Sequence, residues 1–381
     1  MKYIRLGEVI SNAKCARCGE NDFPILSITK SDGIVLQSEK FKKRIASNDT
    51  AIYKVVKRGQ LVQGIHIDEA NFGVQNIVNE GIVSPAYKIW DIDEELICPQ
   101  YLEIILRSPR STAYYASKFN GSIKRRERLS DADFLSMEIP FPEYSGQEYA
   151  VQLLEKVSQL IEHRKEQLSE LDTFIKARFV ELFGDPIQNT KGWKTEKLSM
   201  ICSAIYGGGT PSKSHPEYFE GDIPWVSPKD MKSMVITDSI DHITAEAVDN
   251  SSTKMVPAGA VLIVIRSGIL KHSLPVALAA VDLTVNQDMK AFITGDKLSS
   301  EFLVFYFKAI ESDILSGVRG VTADNIDFKE FQNRMVIVPP MQLQNQFADF
   351  VAQVDKSKLS VQKSLDQLET LKKALMQQYF E

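Results

Sequence analysis

Apolar residues recur every seven positions through residues 147–183, at Leu154, Ile161, Leu168, Ile175 and Leu182. Val157 and Leu171 occupy the complementary seam position, and the stretch has no proline or glycine. A heptad held for about four repeats predicts one long helix with a coiled-coil seam. At 1.5 Å per residue it would span roughly 54 Å. Gly184 and Pro186 follow as stop signals.

The pattern returns 197 residues later. Pro142 answers Pro339, Gln147 answers Gln344, Val157 answers Val354, Leu171 answers Leu368 and Phe183 answers Phe380. The second stretch carries Val354, Val361, Leu368 and Leu375 at its main seam position, whereas Leu154, Ile161, Leu168 and Ile175 mark that of the first. Each helix alone is a poor globule, and the two make a plausible pair. The repeat continues more faintly between the helices, as Val56-x-x-Gly59-x-Leu61 against Val256-x-x-Gly259-x-Val261. Two copies of one unit are expected, each a globular domain followed by a helix. The expected ranges are 1–141 and 187–338 for the domains, and 142–186 and 339–381 for the helices. Short β-rich runs (residues 51–56, 260–266, 275–285 and 335–338) mix with short helices at 99–107 and 300–310. The expected fold class is α+β, with two tandem-repeated domains separated by two long helices forming an antiparallel coiled coil.

Composition adds bounds. The 381 residues contain 44% hydrophobic and 25% charged residues, ordinary for a soluble protein of two or three domains. Without an apolar run near membrane length or a signal-peptide core, a cytoplasmic location with no membrane partner is expected. Four scattered cysteines do not make a secreted disulfide framework. Net charge is −5, unevenly distributed: residues 1–141 hold 20 Lys and Arg against 18 Asp and Glu, the rest 25 against 32.

Candidate chemistry is sparse. Cys15-Ala-Arg-Cys18-Gly has zinc-knuckle spacing but lacks a second pair of ligands, so no metal site is expected. Ser84-Pro-Ala-Tyr87 has an amino-methyltransferase-like outline, but serine replaces that motif's amide or carboxylate and alanine its second proline, and it reads as a strand-edge turn. Gly207-Gly-Gly-Thr-Pro-Ser-Lys213 lacks the glycine before lysine of a phosphate loop, yet offers amides, hydroxyls and an ammonium suited to nucleic-acid phosphates. Lys42, Lys43 and Arg44 form one basic cluster, and Lys124, Arg125 and Arg126 another. Candidate DNA contacts are these six, with Gly208, Gly209, Thr210, Ser212, Lys213, Lys229 and Arg266. No complete catalytic constellation stands out, so no catalytic residue is assigned.

Taken together, the chain resembles the specificity subunits of type I restriction–modification enzymes. The resemblance rests on Glu181-Leu-Phe-Gly-Asp-Pro186, Trp193, Gly208-Gly-Thr-Pro-Ser212, Asp222-Ile-Pro-Trp225, Gly81-Ile-Val-Ser-Pro-Ala-Tyr87 and the Pro-x4-Gln helix starts, and it covers the whole chain. It implies two target-recognition domains, each reading half of a bipartite site on double-stranded DNA. It also implies that the helices set the spacing and bind two adenine-N6 methyltransferase subunits, with a motor-nuclease subunit joining for restriction. S-adenosylmethionine, ATP and magnesium would then belong to partner subunits, and this chain would carry no cofactor and no catalysis. The first domain has Ser27-Ile-Thr-Lys30 near the place of the glycine loop, so the two half-sites are expected to differ. Two other classes stay open: a coiled-coil scaffold without DNA contact, and a self-contained DNA-modifying enzyme. The first leaves the domain repeats and basic clusters unexplained; the second needs a cofactor loop or nuclease carboxylates.

Overall fold

Both heptad stretches are single helices of 40 residues, Tyr144–Phe183 and Met341–Phe380, in a computed structural model that describes residues 2–30, 32–40, 49–118, 129–318 and 325–381. Gly184 takes a left-handed φ of +77°, which only glycine adopts without strain, and ends the first helix. Trp193 Nε1 then donates to the carbonyl of Phe183 at 2.9 Å, satisfying a group the helix end leaves open. The chain packs as two compact units, Met1–Glu166 with Gln362–Glu381, and Gln167–Val361. Each therefore holds part of both long helices. Helix and sheet are mixed in both, and among the described residues no helix is long and apolar enough to cross a membrane.

In the first unit, strand Tyr3–Arg5 pairs antiparallel with Glu138–Pro140, leading the chain into the long helix. A four-stranded antiparallel sheet follows the order Ile10–Asn12, Lys88–Ile92, Leu61–Gln63, Phe72–Val74. Its core is aromatic: Phe134 stacks on Phe72 at 5.4 Å and meets Trp90 at 5.4 Å. The buried indole of Trp90 donates to Gln63 Oε1 at 2.8 Å, so that polar group is satisfied inside the core. Helix Pro99–Leu106 buries Tyr101 against Phe380, with the Tyr101 hydroxyl donating to Tyr379 O at 2.8 Å. Among the seam positions here, Leu154, Ile161 and Leu375 are buried and Leu368 is half-buried.

In the second unit, Thr195–Lys197 pairs with Met335–Ile337 in the same antiparallel manner. A five-stranded sheet runs Cys202–Gly207, Met289–Thr294, Val261–Val264, Val276–Ala279, Val235–Ile236. Beside it lies a three-stranded sheet of His242–Ile243, Ile223–Val226 and Thr284–Val285. The strand Val261–Val264 is buried along its whole length, which explains its unbroken apolar run. Phe179, Phe183, Phe302 and Phe347 form one aromatic cluster joining helix Ser300–Ala309 to both long helices. Asp172 pairs with Lys358, Phe174 meets Phe350 and Phe179 meets Phe347. Rising along one helix thus meets falling numbers on the other, so the two segments run antiparallel here. Ile175, Val354 and Val361 are buried, while Leu168 and Leu171 are half-buried.

The Pro-x4-Gln starts have a physical reason. Gln147 is fully buried; its Oε1 accepts from Cys98 N at 2.9 Å, and its amide donates to Leu96 O at 3.3 Å and Pro142 O at 3.1 Å. Gln344 does the same in the second unit, accepting from Ser299 N at 2.8 Å and donating to Lys297 O at 2.9 Å and Pro339 O at 2.8 Å. Cys98 and Ser299 are the residues that cap helices Pro99–Leu106 and Ser300–Ala309. One glutamine therefore fastens the start of each long helix to the start of a short one.

Candidate nucleic-acid interface

In the second unit, strand Cys202–Gly207 delivers the glycine loop beside the end of Met289–Thr294. Gly208 lies so close to the neighbouring backbone that a Cβ there would stand 1.6 Å from Asn286 O. At Gly209 a Cβ would meet Ser252 Oγ and Thr253 N, each at 2.5 Å. Glycine is thus required at both by close approach. Gly209 N donates to Val285 O at 3.1 Å, and the Trp225 indole donates to Gly209 O at 3.1 Å. Thr210 Oγ1 donates to Gln287 Oε1. The first half of the loop is thereby clamped rather than loose. Ser212 and Lys213 lie beyond the clamp and are exposed, Ser212 Oγ being 2.7 Å from Ser214 Oγ.

The clamp's other jaw is Asn286-Gln287-Asp288, directly after strand Thr284–Val285. Asn286 N donates to Val226 O at 2.9 Å, and Asp288 N donates to Asn286 Oδ1 at 3.0 Å. Asp288 Oδ2 accepts from Asn286 Nδ2 at 3.3 Å and from Gln287 Nε2 at 3.4 Å. Its Oδ1 accepts from Arg266 Nε at 2.6 Å, with Nη2 at ion-pair distance, also 2.6 Å. Arg266 is half-exposed and, with Gln287 and Lys290, lines a surface recess of about 660 Å³. Lys290 also stands 4.8 Å above the Phe328 ring. Thr210 and Arg266, far apart in sequence, are therefore linked through Gln287 and Asp288. Sequence reading passed over those two; the available signal was a polar trio placed immediately after an apolar strand.

The remaining candidates are placed differently. Lys229 is paired with Asp241 Oδ2 at 2.5 Å, which occupies its ammonium. Lys42, Lys43, Arg44, Lys124, Arg125 and Arg126 lie outside the described residues. In the first unit, residues 27–30 belong to the hairpin Leu26–Thr29 with Gly33–Leu36. Arg107 Nη2 donates to Lys30 O at 2.6 Å and Nη1 to Glu103 Oε1 at 3.0 Å, while Glu103 Oε2 accepts from Val74 N at 2.9 Å. Burial pushes the Glu103 carboxyl above its ordinary range, opposed by those bonds. Cys18 is buried with its thiol donating to Asn21 O at 3.0 Å, and Cys15 donates to Ala13 O at 3.6 Å. Among the described residues no group of three or more His, Cys, Asp or Glu is disposed to hold a metal ion. Residues 84–87 form a turn after strand Glu80–Val83, with Tyr87 N donating to Ser84 O at 3.0 Å.

The class this defines is a mixed helix-and-sheet protein with two like-built units, each fastened by a buried glutamine to long helices. Residues 190–370 match the family described as type I restriction modification DNA specificity domain. The chain is 33% identical over 258 residues to the EcoR124I/EcoR124II specificity subunit of Escherichia coli, covering 65% of this chain and 63% of that one. It is 35% identical over 134 residues to the MjaIX specificity subunit of Methanocaldococcus jannaschii, covering 34% of this chain and 30% of that one. The chain thus spans less than two thirds of the length of these relatives. Its fold is similar to the HsdS subunit from Thermoanaerobacter tengcongensis, at TM-score 0.51, 18% identity and coverage of 100% and 96%. It is also similar to a chain solved in work on assembly and conformational transition of the type I R-M system, at TM-score 0.65, 19% identity and coverage of 100% and 97%. Over the matched residues the chain is thus similar to type I restriction–modification specificity subunits.

Proposed function

We propose that this chain is the sequence-reading subunit of a type I restriction–modification assembly, and that it carries no catalysis itself. Each recognition domain, 1–141 and 187–338, reads one half of a bipartite site on double-stranded DNA. The helices form an antiparallel coiled coil that fixes the spacing and docks two adenine-N6 methyltransferase subunits, with a motor-nuclease subunit joining for cleavage. S-adenosylmethionine, ATP and magnesium are held by those partners. The observation that carries the reading is the clamped loop at Gly208, Gly209 and Thr210, linked through Gln287 and Asp288 to Arg266. It sets a half-exposed guanidinium beside a loop whose backbone is fixed, and a guanidinium so placed can position phosphates and read base edges. The antiparallel contacts of Asp172, Phe174 and Phe179 support the ruler. Two half-sites at fixed separation are what such a ruler would impose.

The test is co-expression with the methyltransferase subunits of its own system in a host lacking adenine methylation, followed by genome-wide mapping of methylated adenines. A bipartite motif with a constant gap is expected, together with no methyl transfer or cleavage by the purified chain alone. Methylation without a bipartite motif, or activity of the isolated chain, would overturn the reading.

A further inference from the structure

We infer that Arg266, held in place by Asp288, reads a guanine in the half-site of the second unit. This rests on the DNA-reading function proposed above and names the base class that its site would take. The guanidinium has two hydrogen-bonding edges in one plane. Nε donates to Asp288 Oδ1 at 2.6 Å and Nη2 lies 2.6 Å from the same oxygen, so the carboxylate takes up the side edge. The end edge, Nη1 with the second Nη2 hydrogen, is not used by Asp288. That edge matches the paired O6 and N7 acceptors of guanine in the major groove, the commonest base-specific use of arginine.

Presentation matters as much as chemistry. Arg266 follows strand Val261–Val264, and its backbone is fixed on both sides: Ile265 N and Arg266 N donate to Asp288 O at 2.8 and 3.2 Å, and Arg266 bridges to Asn325. Asp288 is itself held by Asn286 and Gln287. A long side chain that would otherwise lose rotamer freedom on binding is thereby set beforehand. Phosphate contact makes no such demand, since a point charge on a flexible stem serves it as well. Lys229, occupied by Asp241 at the surface, has no comparable arrangement. Asp288 is thus a positioning residue and Arg266 the specificity-determining one.

The experiment compares the full chain, co-expressed with its methyltransferase subunits, as wild type, Arg266→Lys, Asp288→Ala and Asp288→Asn. Methylation motifs are mapped, and binding of the assemblies is measured on duplexes carrying each of the four base pairs at every motif position. Arg266→Lys keeps the cation and loses the fork. It is expected to lower discrimination for G·C at one position of one half-site about 5- to 150-fold, leaving the other half unchanged. Asp288→Ala is expected to relax the same position, with Asp288→Asn in between. Thermal unfolding midpoints matching wild type in Arg266→Lys and Asp288→Asn show that the fold is kept. Equal weakening on all sequences, with the salt slope reduced by about one, would make Arg266 a phosphate contact and overturn the proposal. Unaltered specificity in Arg266→Lys would overturn it by leaving only a structural tie. A wild-type assembly with no bipartite motif would instead sink the functional reading on which it stands.

Discussion

The two units share their frame and differ in what the frame presents. Each closes with a short antiparallel strand pair, Tyr3–Arg5 with Glu138–Pro140 or Thr195–Lys197 with Met335–Ile337. Each buries a glutamine between a short helix start and a long one. The faces above the frame diverge. The second unit clamps a glycine loop onto Asn286, Gln287 and Asp288, whereas the first carries the hairpin Leu26–Thr29 with Gly33–Leu36, and Lys30 O beside it accepts from Arg107. What must be geometrically constant is repeated; what would face a ligand is not. Lesions in the frame should therefore act alike in either unit, and lesions in the loop should act in one.

The largest expected effect is in the helix seam. Val354→Asp in the second unit, or Leu154→Asp in the first, puts a carboxylate into a buried apolar position and is expected to cost several kcal/mol. Chemical denaturation of the full chain should show comparable loss for both. Loss confined to one variant would break the equivalence of the frames. Gly208→Ala comes next. Its Cβ cannot fit 1.6 Å from Asn286 O, so the loop must move, at a cost of about 3 kcal/mol or more by the overpacking scale. Hydrogen exchange should rise around residues 208–210 and 286–288 and not in the first unit.

Gln344→Ala removes three hydrogen bonds, one buried and two part-buried, and takes the side-chain partner from Ser299 N and two carbonyls, an expected loss of about 2–3 kcal/mol. Gln147→Ala should cost slightly less, since its bond to Leu96 O is longer at 3.3 Å. Unfolding curves of the two variants measure this pair directly. Smallest is Lys229→Ala. Its ion pair with Asp241 is roughly half exposed, so stability should fall by less than about 1 kcal/mol. Removing Lys229 should leave base preference unchanged, which competition binding on variant duplexes would check.

The long helices were legible because a heptad is a local, repeated signal; the residue-147 stretch and the helix Tyr144–Phe183 differ only at the first turn. Pro99–Leu106 and Ser300–Ala309 were equally readable, with proline or serine at their starts. The shared Pro-x4-Gln was visible as a repeat, but its reason was not, since two of each glutamine's three partners lie about fifty residues upstream. The same holds for the loop. Glycines at 208 and 209 were conspicuous in sequence, yet Gln287 and Asp288 join them only through sheet pairing. Lys229 shows the same limit from the other side: the basic residue is visible in the sequence, and its ion pair with Asp241 only in the fold. Charge can be counted from sequence, but its pairing depends on tertiary contacts.

The measurement that bears most directly on two readers in one frame is an exchange of residues 187–337 for the matching part of a family member with a different motif. The hybrid is co-expressed with methyltransferase subunits and its methylated adenines are mapped. Base readout arises from side chains local to each domain and the helices set distance alone, so one half-site should change while the other half and the gap stay constant. A hybrid that altered both half-sites, or altered the gap and neither half, would contradict the account.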